Sequence, residues 1–132
     1  MADSDLKSLL ARAQRGDERA QHELGNHYHS TRDLMEAVKW WKIAAAQGNL
    51  PALFSLGSLY GAYAEREGFK QDWVEAYYYL SLINETHVRA GHRVDDGGVV
   101  AEAANHLTSE QKAEVEKRVH DWKPTSTSPK KP

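Results

Sequence analysis

The chain reads GDERAQHELGNHY from Gly16 to Tyr28 and GNLPALFSLGSLY from Gly48 to Tyr60. A glycine, an alanine, a Leu-Gly pair and a final tyrosine recur between the two stretches with a shift of 32 residues. Internal similarity with a period of about 20–50 residues is typical of helical repeat proteins. The two stretches therefore predict two copies of one structural unit.

The segments that follow these stretches also match each other, but with a shift of 39 residues. The aligned pairs include Ala37 with Ala76, Trp40 with Tyr79 and Trp41 with Leu80. The larger shift places a seven-residue insertion in the second copy, within residues 61–72. Because a connection tolerates added residues better than a helix does, an insertion confined there fits a repeat unit.

Apolar residues recur with a helical period in both copies. In the first copy they are Ala20, Leu24 and Tyr28, followed by Leu34, Val38, Trp41 and Ala45. In the second copy they are Ala52, Leu56, Leu59, Tyr60 and Tyr63, followed by Trp73, Ala76, Leu80 and Ile83. This spacing places apolar side chains on one face of a helix. No stretch alternates long enough to indicate a strand, so the sequence predicts an all-α fold.

Residues that favour helix ends and close helix packing stand at matching places in the two copies. Asp17 and Asn49 are good N-caps, and each follows a glycine that suits the end of the preceding helix. Gly25 and Gly57, in the Leu-Gly pairs, are expected to let two helices approach closely. That packing outweighs the roughly 1 kcal/mol that glycine costs inside a helix.

The ends of the chain lie outside the two copies. Four segments are predicted there: an amphipathic helix over residues 4–15, a polar connection over 89–98, a short apolar helix over 99–107 and a last helix that ends at Trp122. The last helix starts at a capping box, Thr108 to Gln111. Residues 123–132 are rich in Pro, Ser, Thr and Lys and predict a disordered tail.

Composition excludes several classes of function. The 132 residues carry 17 Lys and Arg against 19 Asp and Glu, a formal charge of −2, which argues against nucleic-acid binding. The absence of cysteine excludes disulfides, thiolate zinc sites and a cysteine nucleophile. No apolar run approaches the roughly 20 residues of a membrane span, and the acidic start predicts no secretory signal. We therefore expect a cytoplasmic protein with no membrane partner.

The combined spacing of these residues resembles that of a known family. The first copy contains Leu24-Gly25-x-x-Tyr28 and then Ala37-x-x-Trp40-Trp41-x-x-Ala44-Ala45-x-x-Gly48-Asn49. The second copy contains Ala52-x-x-x-Leu56-Gly57-x-x-Tyr60 and then Asp72-x-x-x-Ala76-x-x-Tyr79. With these motifs the chain resembles the Sel-one-like repeat family, whose helix–turn–helix modules are related to tetratricopeptide repeats. Both copies lack the Gly-x-Gly-Val turn that is usual between the paired helices of the family.

The resemblance implies a short right-handed α-solenoid of antiparallel helix pairs, with about six or seven helices. It implies repeats at about 17–48 and 49–88 and a C-terminal cap at about 99–122, within one domain over residues 1–122. A further capping helix is expected at the N-terminus. After Ile83 the family's next motif is replaced by Asn84-Glu85-Thr86. We therefore expect a cap there instead of a third repeat.

Motifs that suggest catalysis or metal binding are incomplete. His22 and His27 nearly form a zincin pair, but a separation of five residues turns them about 140° apart on a helix. Two Ser-x-x-Lys tetrads lack the Lys-Thr-Gly and Ser-Asp-Asn motifs of penicillin-recognising enzymes. The acidic turn over residues 95–98 lacks the spaced oxygen ligands of a calcium loop. We predict no catalytic residue, no metal site and no cofactor.

The remaining functional feature is a stripe beside the apolar face of the first helix in each copy. It comprises Arg19, His22, Asn26 and His29 in the first copy and Pro51, Phe54, Ser58 and Gly61 in the second. In tetratricopeptide-like arrays this stripe faces the concave groove, so the resemblance implies that these residues bind a partner. Phe54 suggests a ligand anchor. Equally, it could pack against the capping helices.

The sequence thus predicts a non-catalytic adaptor that binds a partner peptide or helix in this groove, as a monomer or a weak dimer. Two alternatives stay open. One is an inhibitor or immunity-type protein that occludes a single cognate enzyme. The other is a hydrolase of the penicillin-binding type, because some disulfide-rich members of the family are linked to that activity.

Overall fold

The computed structural model describes residues 3–92 and 98–125. Eight α-helices follow one another in these residues: α1 Asp3–Gln14, α2 Glu18–Ser30, α3 Leu34–Ala46, α4 Leu50–Tyr60, α5 Ala64–Glu67, α6 Trp73–Arg89, α7 Val99–Ala104 and α8 Ser109–Asp121. No strand occurs in the described part of the chain, which confirms the predicted all-α fold. None of these eight helices is both long enough and apolar enough to cross a membrane.

The described contacts divide the chain into two compact units. Unit 1 comprises the residues up to Ala52 together with those from Pro124 onwards, and unit 2 comprises Leu53–Lys123. Each unit is described separately below.

In unit 1, α2 packs against both α1 and α3. The buried apolar side chains at this packing include Leu9, Ala13, Ala20, Leu24 and Trp40. As predicted, Asp17 caps α2, and its carboxylate accepts hydrogen bonds from the Arg19 and Ala20 backbone N–H groups. Gly25 lies against the ring of Trp41, where an added Cβ would overlap the indole. The predicted close approach of two helices at Gly25 is therefore confirmed.

Two glutamines form a polar link inside unit 1 that the apolar pattern does not reveal. The buried Gln21 side chain donates to the Ala13 carbonyl at 3.0 Å. Its own oxygen accepts from Gln47 Nε2 at 2.9 Å, and Gln47 also donates to the Gly16 carbonyl. These bonds join α1, α2 and the end of α3, and they satisfy polar groups that burial would otherwise leave unpaired.

In unit 2, α4 contacts α6 at Gly57 and at Tyr60, whose ring stacks on that of Tyr79 at 6.0 Å. A Cβ added at Gly57 would lie 2.6 Å from Leu80 Cγ and Cδ2, so Gly57 allows the same kind of close approach that Gly25 allows in unit 1. The other partners of α6 are α7 and α8. The predicted capping box is present at the start of α8, between Thr108 and Gln111.

The connection between α4 and α6 differs from the prediction. It contains a short helix, α5, which ends at Gly68 with a left-handed φ of 71°. We expected the apolar stripe of α4 to extend to Tyr63, and this was wrong. The helix ends at Tyr60, the Tyr63 N–H bonds to the Ser58 carbonyl at 2.9 Å, and the Tyr63 side chain is exposed.

Two predicted features fall partly or wholly beyond the described residues. The polar connection over 89–98 is described except for residues 93–97, which include most of the acidic turn. The predicted tail is described over residues 123–125, where the Thr125 N–H donates to the Ala46 carbonyl at 2.8 Å. Residues 126–132 lie outside the described part of the chain.

Candidate functional site

A pocket of about 170 Å³ opens on the surface of unit 2. Its walls come from α4, from the connection after α4, from the first half of α6 and from α7. The wall side chains include Phe54, Ser58, Tyr63, Trp73, Val99 and Glu102, and the buried Gly57 and Leu80 also line it. We call this cavity the Phe54 pocket.

Exposed apolar side chains are concentrated at this pocket. Phe54, Tyr63 and Val99 are 52%, 45% and 42% exposed, and all three line it. In the described part of the chain, the other large exposed apolar side chains are Met35 and Val88, and neither lines the pocket. Contiguous exposed apolar surface around a cavity is typical of a binding site, whereas scattered single residues are ordinary.

Contacts around the pocket hold its walls in place. The Trp73 ring stacks on His106 with a centroid distance of 3.8 Å and parallel planes. The guanidinium of Arg66 lies over the Tyr63 ring, 4.7 Å from its centroid. Two wall side chains, Trp73 and Tyr63, are therefore each held by another residue of the same unit.

The predicted stripe residues of the second copy lie in different environments. Phe54 and Ser58 are one turn apart on α4 and both line the pocket. Gly61, in contrast, is buried, and a Cβ added there would lie 3.0 Å from the Trp73 ring and 2.9 Å from the Gly57 carbonyl oxygen. Gly61 does not line the pocket, because the Trp73 side chain covers it.

Two predicted residues of unit 1 support the buried Trp41. Asn26 Oδ1 accepts a hydrogen bond from the Trp41 indole N–H at 3.1 Å. The His29 ring lies 5.5 Å from the Trp41 ring, centroid to centroid. These contacts give Asn26 and His29 a structural role, because they hold the Trp41 ring that covers Gly25.

His22 and Arg19 lie on the same helix, α2, in different surroundings. His22 is half-buried, and this burial lowers the pKa of its imidazole below the usual 6.5 despite the opposing charge of Glu23. Arg19 is exposed and lines a wide depression of about 600 Å³ together with Arg12, Arg15 and Gln47. Arg19 therefore lines this depression, whereas Asn26 and His29 contact Trp41.

The pocket residues that the sequence analysis did not propose as site residues include Tyr63, Trp73, Val99 and Glu102. The helical period assigned Tyr63 and Trp73 to the core. Val99 and Glu102 belong to α7, which follows a polar connection, so no spacing in the sequence relates them to α4. The one available signal was Phe54, an aromatic side chain next to the apolar stripe.

Within the described ranges, no group of three or more histidine, aspartate or glutamate side chains is placed to hold a metal ion. Comparisons of the chain with family models, with curated proteins and with solved structures returned no match.

Proposed function

We propose that this chain is a non-catalytic protein-interaction module that binds a partner segment at the Phe54 pocket. The observation that carries the proposal is the concentration of exposed apolar side chains around one restrained cavity. Burying a large apolar side chain contributes about 1.5–3 kcal/mol, so one anchor in such a pocket can dominate a small interface.

We further propose that the scaffold consists of two Sel-one-like repeats, at about 17–48 and 49–88. The glycine contacts support this assignment. Gly25 lies against Trp41, and Gly57 lies against Leu80. The sequence alignment pairs the two glycines with each other and Trp41 with Leu80. Burial agrees as well, since both aligned alanine pairs, Ala20 with Ala52 and Ala37 with Ala76, are fully buried.

A preformed pocket favours binding because little conformational entropy is lost on the scaffold side. The stacking of Trp73 on His106 and the contact of Arg66 with Tyr63 already order the walls. The partner segment then supplies most of the ordering on association. This division suits an adaptor that recognises short peptides or helices.

Site-specific photo-crosslinking in the source cells tests the proposal. A benzophenone amino acid is placed at Val99, on the pocket rim, and at the exposed Glu114 of α8 as the control. We expect a discrete covalent adduct with a protein from Val99 and none from Glu114. The same adduct from both positions, or none from Val99, would contradict binding at the pocket.

The substitution Phe54→Ala, added to the crosslinking chain, separates binding from folding. Phe54 is half exposed, so we expect its loss to lower the free energy of unfolding by only about 1 kcal/mol. The adduct from Val99 should nevertheless disappear. Met35→Ala is the matched control, because Met35 is an exposed apolar residue of unit 1 and should leave the adduct unchanged.

A further inference from the structure

Resting on the proposed function, we infer that the segment bound at the Phe54 pocket belongs to another protein and carries one apolar anchor beside a lysine or arginine. The anchor fills the pocket, and the cation pairs with Glu102. Pocket size, the charge of its lining and the other exposed residues of this chain lead to this assignment.

The size of the pocket suits one side chain. An apolar cavity of about 150 Å³ is enough to hold a benzene molecule. The Phe54 pocket, at about 170 Å³, therefore accommodates one aromatic or branched aliphatic side chain. Phe54, Tyr63 and Trp73 surround that space with aromatic surface.

The positive charge that we infer for the partner, next to its anchor, follows from Glu102. Glu102 is the charged residue among those that line the pocket. Within the described residues, its carboxylate has no ion-pair partner, unlike Glu75 and Glu85, which pair with arginines. An unpaired carboxylate at the rim favours a neighbouring cation and disfavours an acidic side chain.

The candidate segments of this chain are already engaged or carry the wrong charge. Phe69 and Trp122 each precede a lysine, but both are half-buried, Phe69 against the Tyr60 ring and Trp122 under the Arg89 guanidinium. Met35 is exposed, but it is flanked by Asp33 and Glu36, whose charges would oppose Glu102. Val88 precedes Arg89, but that guanidinium is already bonded to Glu85 and to three carbonyls. The end of the chain, residues 126–132, contains two lysines but no large apolar side chain. A second copy or the chain's own end is therefore a poor occupant.

Peptide selection with a charge reversal tests the inference. A phage library of random twelve-residue peptides is selected on the full chain, on the Glu102→Lys variant and on a Glu114→Lys control. We expect wild type and control to enrich an aromatic or leucine residue next to lysine or arginine. The Glu102→Lys variant should enrich the same anchor next to aspartate or glutamate.

Affinities of one synthetic peptide, chosen from the wild-type selection, give the expected magnitudes. Glu102→Gln should weaken its binding about threefold, as for a partly exposed ion pair, and Glu102→Lys about tenfold. Glu114→Lys, which makes the same charge change away from the pocket, should leave binding unchanged. Circular dichroism establishes that each variant is folded before its affinity is compared.

The outcomes distinguish this inference from the proposed function. One outcome would overturn only the proposed pairing of a cation with Glu102. In it, the enriched peptides share an anchor and lose binding on Phe54→Ala, but their charge does not change with the residue at position 102. The pocket would then remain the binding site. Enriched peptides whose binding is unaffected by Phe54→Ala would overturn both proposals, and so would a selection that yields no shared anchor.

Discussion

At the scale of single residues, Gly57 is a position where unit 2 leaves little room for a larger side chain. A Cβ there would lie 2.6 Å from Leu80, too close for a buried side chain to accommodate without moving. We expect Gly57→Ala to lower the free energy of unfolding by about 1–2 kcal/mol, because overpacking exceeds the gain in helix propensity. Chemical denaturation measures the change.

Leu80→Ala provides the control for this prediction. It removes the side chain that Gly57 accommodates and should itself cost about 2–5 kcal/mol. In that background Gly57→Ala should be neutral or stabilising, because only the propensity of alanine for helix remains. If Gly57→Ala instead stabilises the otherwise unchanged chain, the close approach of α4 and α6 at this point is wrong.

His22 is expected to make stability depend on pH. Its pKa is lowered in the folded chain by burial, so between that value and 6.5 the unfolded chain binds more protons than the folded chain. The free energy of unfolding should therefore fall as the pH drops below about 6.5 and rise as the pH returns to about 7. His22→Gln should reduce this slope when denaturation is repeated at several pH values. An unchanged slope would show that His22 contributes nothing to it.

Sequence reasoning succeeded at the residue scale where the interaction is local. The N-cap at Asp17 and the capping box at Thr108 involve residues within a few positions of each other, so their spacing is sufficient to predict them. Gln21 was not predicted, because its partners Ala13 and Gln47 come from two other helices. A polar side chain on an apolar face carries no sign of which distant group will pair with it.

At the scale of helices, Arg89 secures the end of α8 to α6. Its guanidinium donates to the Trp122 carbonyl at 2.7 Å and to the Val119 and His120 carbonyls at 3.3 Å. Carbonyls in the last turn of a helix have no i+4 partner within the helix. The Val119 carbonyl also accepts from the Trp122 N–H, and Arg89 supplies a donor to the His120 and Trp122 carbonyls. The ion pair with Glu85 is partly exposed and adds little.

Arg89→Lys is expected to release the last turn of α8. A lysine keeps the charge but cannot present several fixed N–H groups to three carbonyls. We expect a loss of about 1 kcal/mol in unfolding free energy and faster amide hydrogen exchange near residue 120. Arg66→Lys should cost less, because Arg66 is exposed and its guanidinium lies over the Tyr63 ring. Unchanged exchange in Arg89→Lys would mean that these hydrogen bonds do not hold the helix end.

The helices with strong apolar periods were predictable, and the insertion between α4 and α6 was not. The helical spacing of apolar residues in α4 includes Tyr63, but the helix ends at Tyr60 and the chain turns there. Phe69 then packs edge-on against Tyr60, and the Asp72 N–H bonds to the Tyr60 carbonyl at 2.8 Å. These tertiary contacts end the helix, and no property of Tyr63 itself indicates them.

At the scale of the whole molecule, the candidate site depends on segments far apart in sequence. Phe54 could be singled out because it lies beside the apolar stripe of one helix. Val99 and Glu102 could not, because only folding of unit 2 brings α7 to the same cavity as α4. The sequence could therefore predict the wall that α4 provides. The charge that Glu102 brings from α7 could be recognised only in the structure.

Hydrogen–deuterium exchange of the full chain, with and without the partner captured at Val99, tests the central claim most directly. Binding at the Phe54 pocket predicts slower exchange in residues 53–63 and 98–104 when the partner is present, with the largest change around the exposed apolar side chains. Slower exchange confined to α8 or to unit 1, with residues 53–63 unchanged, would contradict the claim.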